Sequence, residues 1–261
     1  MKHIIFYFLI IFILVMPFGY ASLINGLVSY YQFENNAYDL SGNNNDGTEK
    51  NGVSYGAGLF GQAAIFDGVD DYISLGSNGY NLTKGSISVW FKNDPNITSR
   101  NIFTQYYNDH NRLKIFSGDM IRGYSGYSSN YFNLTRDFVD IGLEKTEWTH
   151  VVLTYDFDLA QYSLYTNGVQ IDTANNSITG PASIGELLIG VNKDFDYSGT
   201  DYGNFYKGSI DEFRIYNRVL SNSEIQELSS IPEVSSVFLC LIGILSVLRL
   251  YLIESKLPKL I

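Results

Sequence analysis

Cysteine is almost missing from these 261 residues. The one thiol, Cys240, lies in an apolar run near the C-terminus, so the long stretch before it has no means of forming a disulfide. Histidine is nearly as scarce, with three residues, His3, His110 and His150, which leaves little to hold zinc. No Gly-x-Ser-x-Gly elbow accompanies His110 or His150, which excludes the common nucleophile–base arrangement. Glycosidases built on β-sheets aim two carboxylates into one groove through a Glu-x-Asp-x-x-Glu alternation. That pattern is also missing, and the adjacent Asp211 and Glu212 are expected on opposite sides of a strand. No enzymatic activity is therefore expected. Basic residues are few as well, 17 Lys and Arg against 27 Asp and Glu for a net charge of −10. Without a basic stripe, nucleic acid and anionic lipid surfaces are excluded as partners.

What the chain has in quantity is aromatic residues, 21 Tyr and 17 Phe, set in short apolar runs separated by Gly, Asn, Asp and Ser. Leu27 to Phe33, Ala64 to Phe66 and Tyr72 to Leu75 read as strands, and Asp67-Gly68-Val69-Asp70-Asp71 as a hairpin connection. Ser86 to Lys92 places Ile87, Val89 and Phe91 on one face and Trp90 on the other. Further strands are expected over 102–105, 112–116, 120–124, 131–134, 148–156, 162–166, 169–173 and 186–191. Asn167-Gly168 is a two-residue hairpin turn. Ser221 with Glu224 forms a capping box ahead of a short helix to Leu228. Gly56-Ala57-Gly58-Leu59-Phe60-Gly61 spells a dinucleotide fingerprint, but a strand follows it where a phosphate-binding helix is needed. The result is one all-β sandwich of roughly 200 residues, enough to bury a core.

The two ends differ from this middle. Lys2-His3, the apolar run Ile4 to Val15 and the small residues Gly19 and Ala21 read as a secretory signal peptide over 1–21, with an uncleaved membrane anchor as the alternative. After the domain 22–230, Ile231-Pro232-Glu233-Val234 precedes the apolar helix-forming run Val237 to Leu248, with Arg249, Lys256 and Lys259 beyond. This segment, 231–261, resembles the PEP-CTERM sorting signal of Gram-negative bacteria that export polysaccharide, with Val234 where that family has a second Pro. The resemblance implies an exosortase-like protease as partner. An ordinary transmembrane anchor is the other reading, since Val234 to Ile253 has about the 20 residues that a bilayer core needs. Either way the domain is expected to be secreted or at the cell surface, touching the membrane only through this segment.

The run Phe66-Asp67-Gly68-Val69-Asp70-Asp71-Tyr72-Ile73 resembles a signature of LamG-like (laminin G type 3, concanavalin A-like) jelly-roll domains. So do Gly26 to Glu34, Asp39 to Thr48, Trp148 to Asp156 with Leu164 to Gly168, and Gly208 to Arg218. The resemblance implies a jelly-roll β-sandwich of two antiparallel sheets, a fold that hosts lectins, hydrolases and adhesive modules alike. It also implies a structural calcium joining an early loop to the closing strand. Asp39, Asn43, Asn44 and Asp46 offer the oxygens a hard cation takes, and Asp211 is the closing-strand partner. The competing role for these residues is turn formation. Tyr124, Tyr127, Tyr202 and Tyr206, with Tyr106, Tyr107, Tyr131 and Tyr197 nearby in sequence, stand among Asn, Asp, Gly and Ser. Flat rings beside hydrogen-bonding groups suit a sugar. The expected function is carbohydrate binding, to a polysaccharide or surface glycan, with a structural or adhesive protein that binds other proteins as the alternative.

Overall fold

The computed structural model describes residues 23–230 apart from 78–79, 81–82, 98–99, 108–110, 128–129, 178–183 and 195–200. The expected signal peptide, the segment 231–261 with Cys240, and His110 and Tyr197 lie outside the described residues. Among those described, no helix is long and apolar enough to cross a membrane.

In chain order the strands are β1 (Leu27–Tyr31), β2 (Thr48–Lys50), β3 (Ser54–Ala57), β4 (Gln62–Asp67), β5 (Tyr72–Gly76), β6 (Lys84–Asn93), β7 (Arg100–Tyr107), β8 (Asn111–Ser117) and β9 (Met120–Tyr127). They continue with β10 (Asn130–Asp137), β11 (Thr149–Asp156), β12 (Gln161–Thr166), β13 (Val169–Ala174), β14 (Ile184–Ile189), β15 (Asn192–Asp194), β16 (Asp201–Gly203) and β17 (Lys207–Tyr216), before helix α1 (Asn222–Ser229). One sheet runs β13-β12-β11-β6-β17-β4-β3, with β1 also paired to β17; the second runs β10-β9-β8-β7-β14-β5-β2. All these pairings are antiparallel, and β15 and β16 form a small separate ribbon. The expected sandwich of two antiparallel sheets is what forms.

The core lies between the sheets. Ile87, Val89 and Phe91 of β6 face inward at 1% exposure or less, as their alternation requires. Phe132 stacks on Tyr162 at 4.1 Å, and Phe103 meets Phe213 at 5.4 Å, so aromatic contacts cross from sheet to sheet. Gly123 is needed where β9 approaches the first sheet, because a Cβ there would lie 2.8 Å from the Leu153 side chain.

The outer side of the first sheet carries a second, smaller core of Val152, Tyr165, Tyr216, Leu220, Ile225 and Leu228, with Leu23 and Leu27 packed against it. Trp90 belongs to this side, and its Nε1 donates to Leu228 O at 3.3 Å. Helix α1 covers it, which is why a ring on the outward face is buried. The capping box forms as read. Ser221 N donates to Glu224 Oε2 at 2.9 Å, and Glu224 N donates to Ser221 Oγ at 3.4 Å. Arg218 adds two bonds to the Glu224 carboxylate, 2.8 and 2.7 Å.

Arg218 and the Ser221 donors hold the Glu224 carboxyl down at about 2. A carboxyl whose folded pKa lies below its unfolded one stabilises the fold above the ordinary carboxylate range, and that contribution is lost as pH falls toward the folded value. The melting temperature of the full chain should therefore drop between pH 4.5 and 2, and Glu224→Gln should flatten part of that drop while lowering stability at neutral pH. An unchanged slope in the variant would show that the cap contributes nothing.

Candidate functional site

The acidic loop closes on itself and on β1. Asp39 Oδ1 accepts from Tyr30 N (3.0 Å) and Ser41 N (2.9 Å), while Oδ2 accepts from Ser41 Oγ (2.8 Å) and Asn45 N (2.9 Å). Asp46 Oδ1 accepts from Asp39 N at 2.8 Å, and Asn43 Nδ2 donates to Leu27 O and Val28 O. Asn44 takes a left-handed φ of 59°. These are the local side-chain-to-backbone bonds that make Asp and Asn turn residues.

Asp211 does not join them. On β17 it is fully buried, and its Oδ2 accepts from Leu59 N (2.9 Å) and Phe60 N (3.1 Å) in the β3–β4 turn. Among the described residues the acidic trio whose ligand atoms lie within 4.8 Å of one another is Asp67, Asp70 and Asp71, so Asp39, Asp46 and Asp211 do not converge. The expected bridge from Asp39 and Asp46 to Asp211 is thus corrected: the loop carboxylates are taken up by backbone N–H groups, and Asp211 faces a different turn. Asp67 and Asp71 likewise serve their own hairpin, with Asp71 Oδ2 accepting from Asp67 N at 3.1 Å and Asp67 Oδ1 from Val69 N at 2.7 Å.

The same turn is held by a second carboxylate, on a residue the sequence reading passed over. Glu34 Oε1 accepts from Gln62 N at 3.1 Å and lies 2.0 Å from where a Cβ on Gly61 would stand; Asp211 Oδ2 lies 2.8 Å from the same position on Gly58. Two carboxylates therefore grip one four-residue turn, and glycine at 58 and 61 makes room for them. The spacing of those glycines, set aside as a dinucleotide fingerprint, was the signal. Asp211 Oδ1 has no hydrogen-bond partner, and burial pushes the carboxyl up to about 7. A buried carboxylate oxygen left bare, on a turn that a second carboxylate also holds, fits a hard, oxygen-seeking cation.

The tyrosines separate in the same way. Tyr206 is fully buried, edge-on to Phe66 at 6.1 Å, and its hydroxyl donates to Asn93 Oδ1 at 3.0 Å. It is a core residue and offers no face to a sugar, which corrects its place in the expected platform. Tyr127 lies on β9 and Tyr202 on β16, with side chains outside the described residues, as are those of Tyr106 and Tyr107.

Tyr124 points away from the core, because its neighbour Gly123 faces Leu153. It stacks on Tyr131 with centroids 5.8 Å apart and planes 29° from parallel. Tyr131 is 43% exposed. Asn133 stands directly opposite Tyr124 on β10 and is exposed. Two adjacent rings with an amide beside them thus open on the outer face of the second sheet. His150, by contrast, is buried under α1. Its Nε2 is 2.8 Å from Ser88 Oγ and its ring is 5.0 Å from Trp90. Burial lowers it to about 3, and Nδ1 meets no hydrogen-bond partner, so no orienting acid completes a nucleophile–base pair.

A family model described as the concanavalin A-like lectin/glucanases superfamily matches residues 66–226. No curated protein matches the sequence. Among solved structures, domain 4 of AbnA, an extracellular arabinanase from Geobacillus stearothermophilus in complex with arabinotriose, is 23% identical with a TM-score of 0.63. The match covers 78% of this chain and 98% of that one. The ligand-binding domain of botulinum neurotoxin serotype D, in complex with N-acetylneuraminic acid, is 18% identical with a TM-score of 0.65; 81% of this chain aligns, over about half (52%) of the toxin domain.

The Asp211 carboxyl yields a test of its own. A folded pKa raised to about 7 from the ordinary 3.8 means the folded chain holds its proton longer than the unfolded one, so stability falls as pH rises across that interval. In chelator, Asp211→Asn should remove this fall and leave the variant at least as stable as the parent at pH 8. A variant that is less stable at pH 8 in chelator would show the ionised carboxylate to be favourable in itself.

Proposed function

The chain belongs to the concanavalin A-like lectin/glucanase superfamily, and we propose that within it this protein is an exported, non-catalytic carbohydrate-binding module. The observation that carries the reading is the Tyr124–Tyr131 stack on the outer face of the second sheet. Pyranose rings present apolar C–H faces and equatorial hydroxyls, which an aromatic platform with Asn133 at its side can take together. Structural neighbours solved with arabinotriose and with N-acetylneuraminic acid support the same use of the fold. Residues 1–21 act as the signal peptide and 22–230 as the binding module. Residues 231–261 serve as the sorting or anchoring segment, a substrate for an exosortase-like protease, and hold the module at the cell envelope. A two-ring site contributes about 0.5–1.5 kcal/mol per aromatic contact, so binding to polysaccharide depends on repeated sites along the ligand.

Calcium belongs to this proposal as a structural ion. Glu34 and Asp211 are the side chains that would hold it, fastening the end of the first strand and the closing strand to the β3–β4 turn.

Two measurements test these statements. On a glycan array and on immobilised polysaccharide, Tyr124→Ala in the full chain should weaken binding several-fold with an unchanged melting temperature. Tyr206→Ala should instead destabilise by about 3–5 kcal/mol, as large-to-small aromatic substitutions in cores do. Lost stability with full binding in the Tyr124 variant would remove the platform. For the ion, calcium at a hundredfold excess over its Kd stabilises by about 2.7 kcal/mol, so adding it to chelated protein should raise the melting temperature, and Asp211→Asn should abolish that rise. A parent chain indifferent to calcium would remove the ion from the proposal.

A further inference from the structure

Helix α1 is held to the first sheet by a core of its own. Ile225 and Leu228 cluster with Val152, Tyr165, Tyr216 and Leu220, and this cluster shares no residue with the core between the sheets. Besides the bond from Trp90 Nε1 to Leu228 O, the Tyr165 hydroxyl donates to Asn222 Oδ1 at 3.2 Å. A helix of eight residues is too short to persist unsupported in water. Docking is therefore what keeps α1 helical, and whatever weakens the docking releases it without opening the sandwich.

Beneath the helix lies His150 of β11, wholly covered. Its Nε2 is 2.8 Å from Ser88 Oγ, its ring lies against Trp90, and its backbone N donates to Asn167 Oδ1 in the β12–β13 turn. That turn meets the end of α1, since a Cβ on Gly168 would stand 2.5 Å from Ser229 Oγ and 3.3 Å from Gln226 Cα. A neutral imidazole suits this site and a charged one does not. An imidazolium donates from both nitrogens; Ser88 Oγ can accept one proton, but Nδ1 has no partner. The charged groups around it offer no relief. Arg214 on β17 adds a second positive charge, and Lys92, next along the outer face of β6, is exposed and of the same sign. The Glu212 carboxylate is taken up by Arg214 and the Tyr30 hydroxyl. On α1, Glu224 is engaged by Arg218 and the cap, and the half-buried Glu227 bears on Tyr216. The remaining neighbours, Val152, Ser88, Trp90 and Asn167, are neutral.

We propose that α1 is an acid-released latch: protonation of the His150 ring undocks the helix from the first sheet while the two-sheet core stays closed. Undocking admits water to the ring, and water is what the imidazolium lacks in the closed form. Burial, with Arg214 beside it, lowers the folded pKa to about 3 from the ordinary 6.5. The docked helix is thus fully favoured above 6.5 and loses that advantage as pH falls toward the folded value. Release also changes reach. A helical residue advances the chain by about 1.5 Å and an extended one by about 3.4 Å, so freeing the eight residues of α1 lengthens the approach to residue 230 by about 15 Å.

The experiment follows amide hydrogen exchange in the full chain at pH 7.5 and pH 5, corrected for the intrinsic pH dependence of exchange, in peptides over α1, β6 and β11. A released helix leaves His150 at its ordinary 6.5, so protonation at pH 5 favours release by about thirtyfold. The opening of α1 should rise by that factor while β6 and β11 stay protected. Glu224, with an ordinary value of 4.5, stays largely ionised in both forms over this interval, so its cap does not produce the rise. His150→Gln, neutral at every pH, should open α1 to the same extent at both. Leu228→Val, which loosens the docking and leaves the titrating ring in place, should raise opening at both pH values and keep the thirtyfold ratio, so the test does not hang on the histidine variant folding. Equal protection of α1 at pH 7.5 and pH 5 overturns the latch. So does a parallel loss of protection in β6 and β11, which would mean that acid unfolds the whole sandwich. A rise that persists in His150→Gln, or a ratio that vanishes in Leu228→Val, removes His150 as its cause.

Discussion

Strand β17 is hydrogen-bonded along both edges, to β6 on one side and to β4 and then β1 on the other, and most of the molecule's particular geometry follows from that double pairing. A strand so held has no freedom to shift register, since a slip of one residue would turn Ile210 and Ile215 out of the core. The exception is local. Between Asp211 and Arg214 the register shifts, and Glu212 adopts a φ of 52°. This bulge delivers Asp211 to the β3–β4 turn. It also sets Arg214 over the Tyr30 ring at 3.9 Å, against the Glu212 carboxylate, to which the Tyr30 hydroxyl donates in turn. Bulges of this kind re-aim side chains, and here two carboxylates that are neighbours in sequence acquire unrelated partners.

The fold was largely legible in the sequence because strand alternation and turn chemistry are local. The pattern of Ile87, Val89 and Phe91, the Asn167-Gly168 turn and the Ser221–Glu224 cap all depend on residues a few positions apart, and all form as read. The partners of the acidic residues were not legible in the same way. Asp39, Asn43 and Asp46 have the composition of a cation loop, but composition does not reveal that backbone N–H groups already bond the two carboxylates. Glu34 and the turn it grips are separated by some two dozen residues, and only the pairing of both β1 and β4 with β17 brings them together.

The tyrosines make the same point through burial. Tyr206 and Tyr124 stand in equally polar stretches, yet one is sealed against Phe66 and the other opens outward. For Tyr124 the deciding residue is its neighbour Gly123, whose missing side chain lets Leu153 fill the inner side of β9. For Trp90 it is α1, far along the chain, which converts an outward-facing ring into the wall of a second core. Parity along a strand says which side a residue takes; what covers that side is a tertiary matter.

Helix α1 and Leu23 share that second core, so both limits of the described chain, near residues 23 and 230, lie on the outer side of the first sheet. The tyrosine face belongs to the other sheet and looks the opposite way. Both limits therefore start from the back of the sandwich, away from the tyrosines. Copies tethered side by side on a common surface would each offer one such face. A long polymer could then lie across many of them at once, and the effective concentration of each successive contact would be set by the spacing of the tethers.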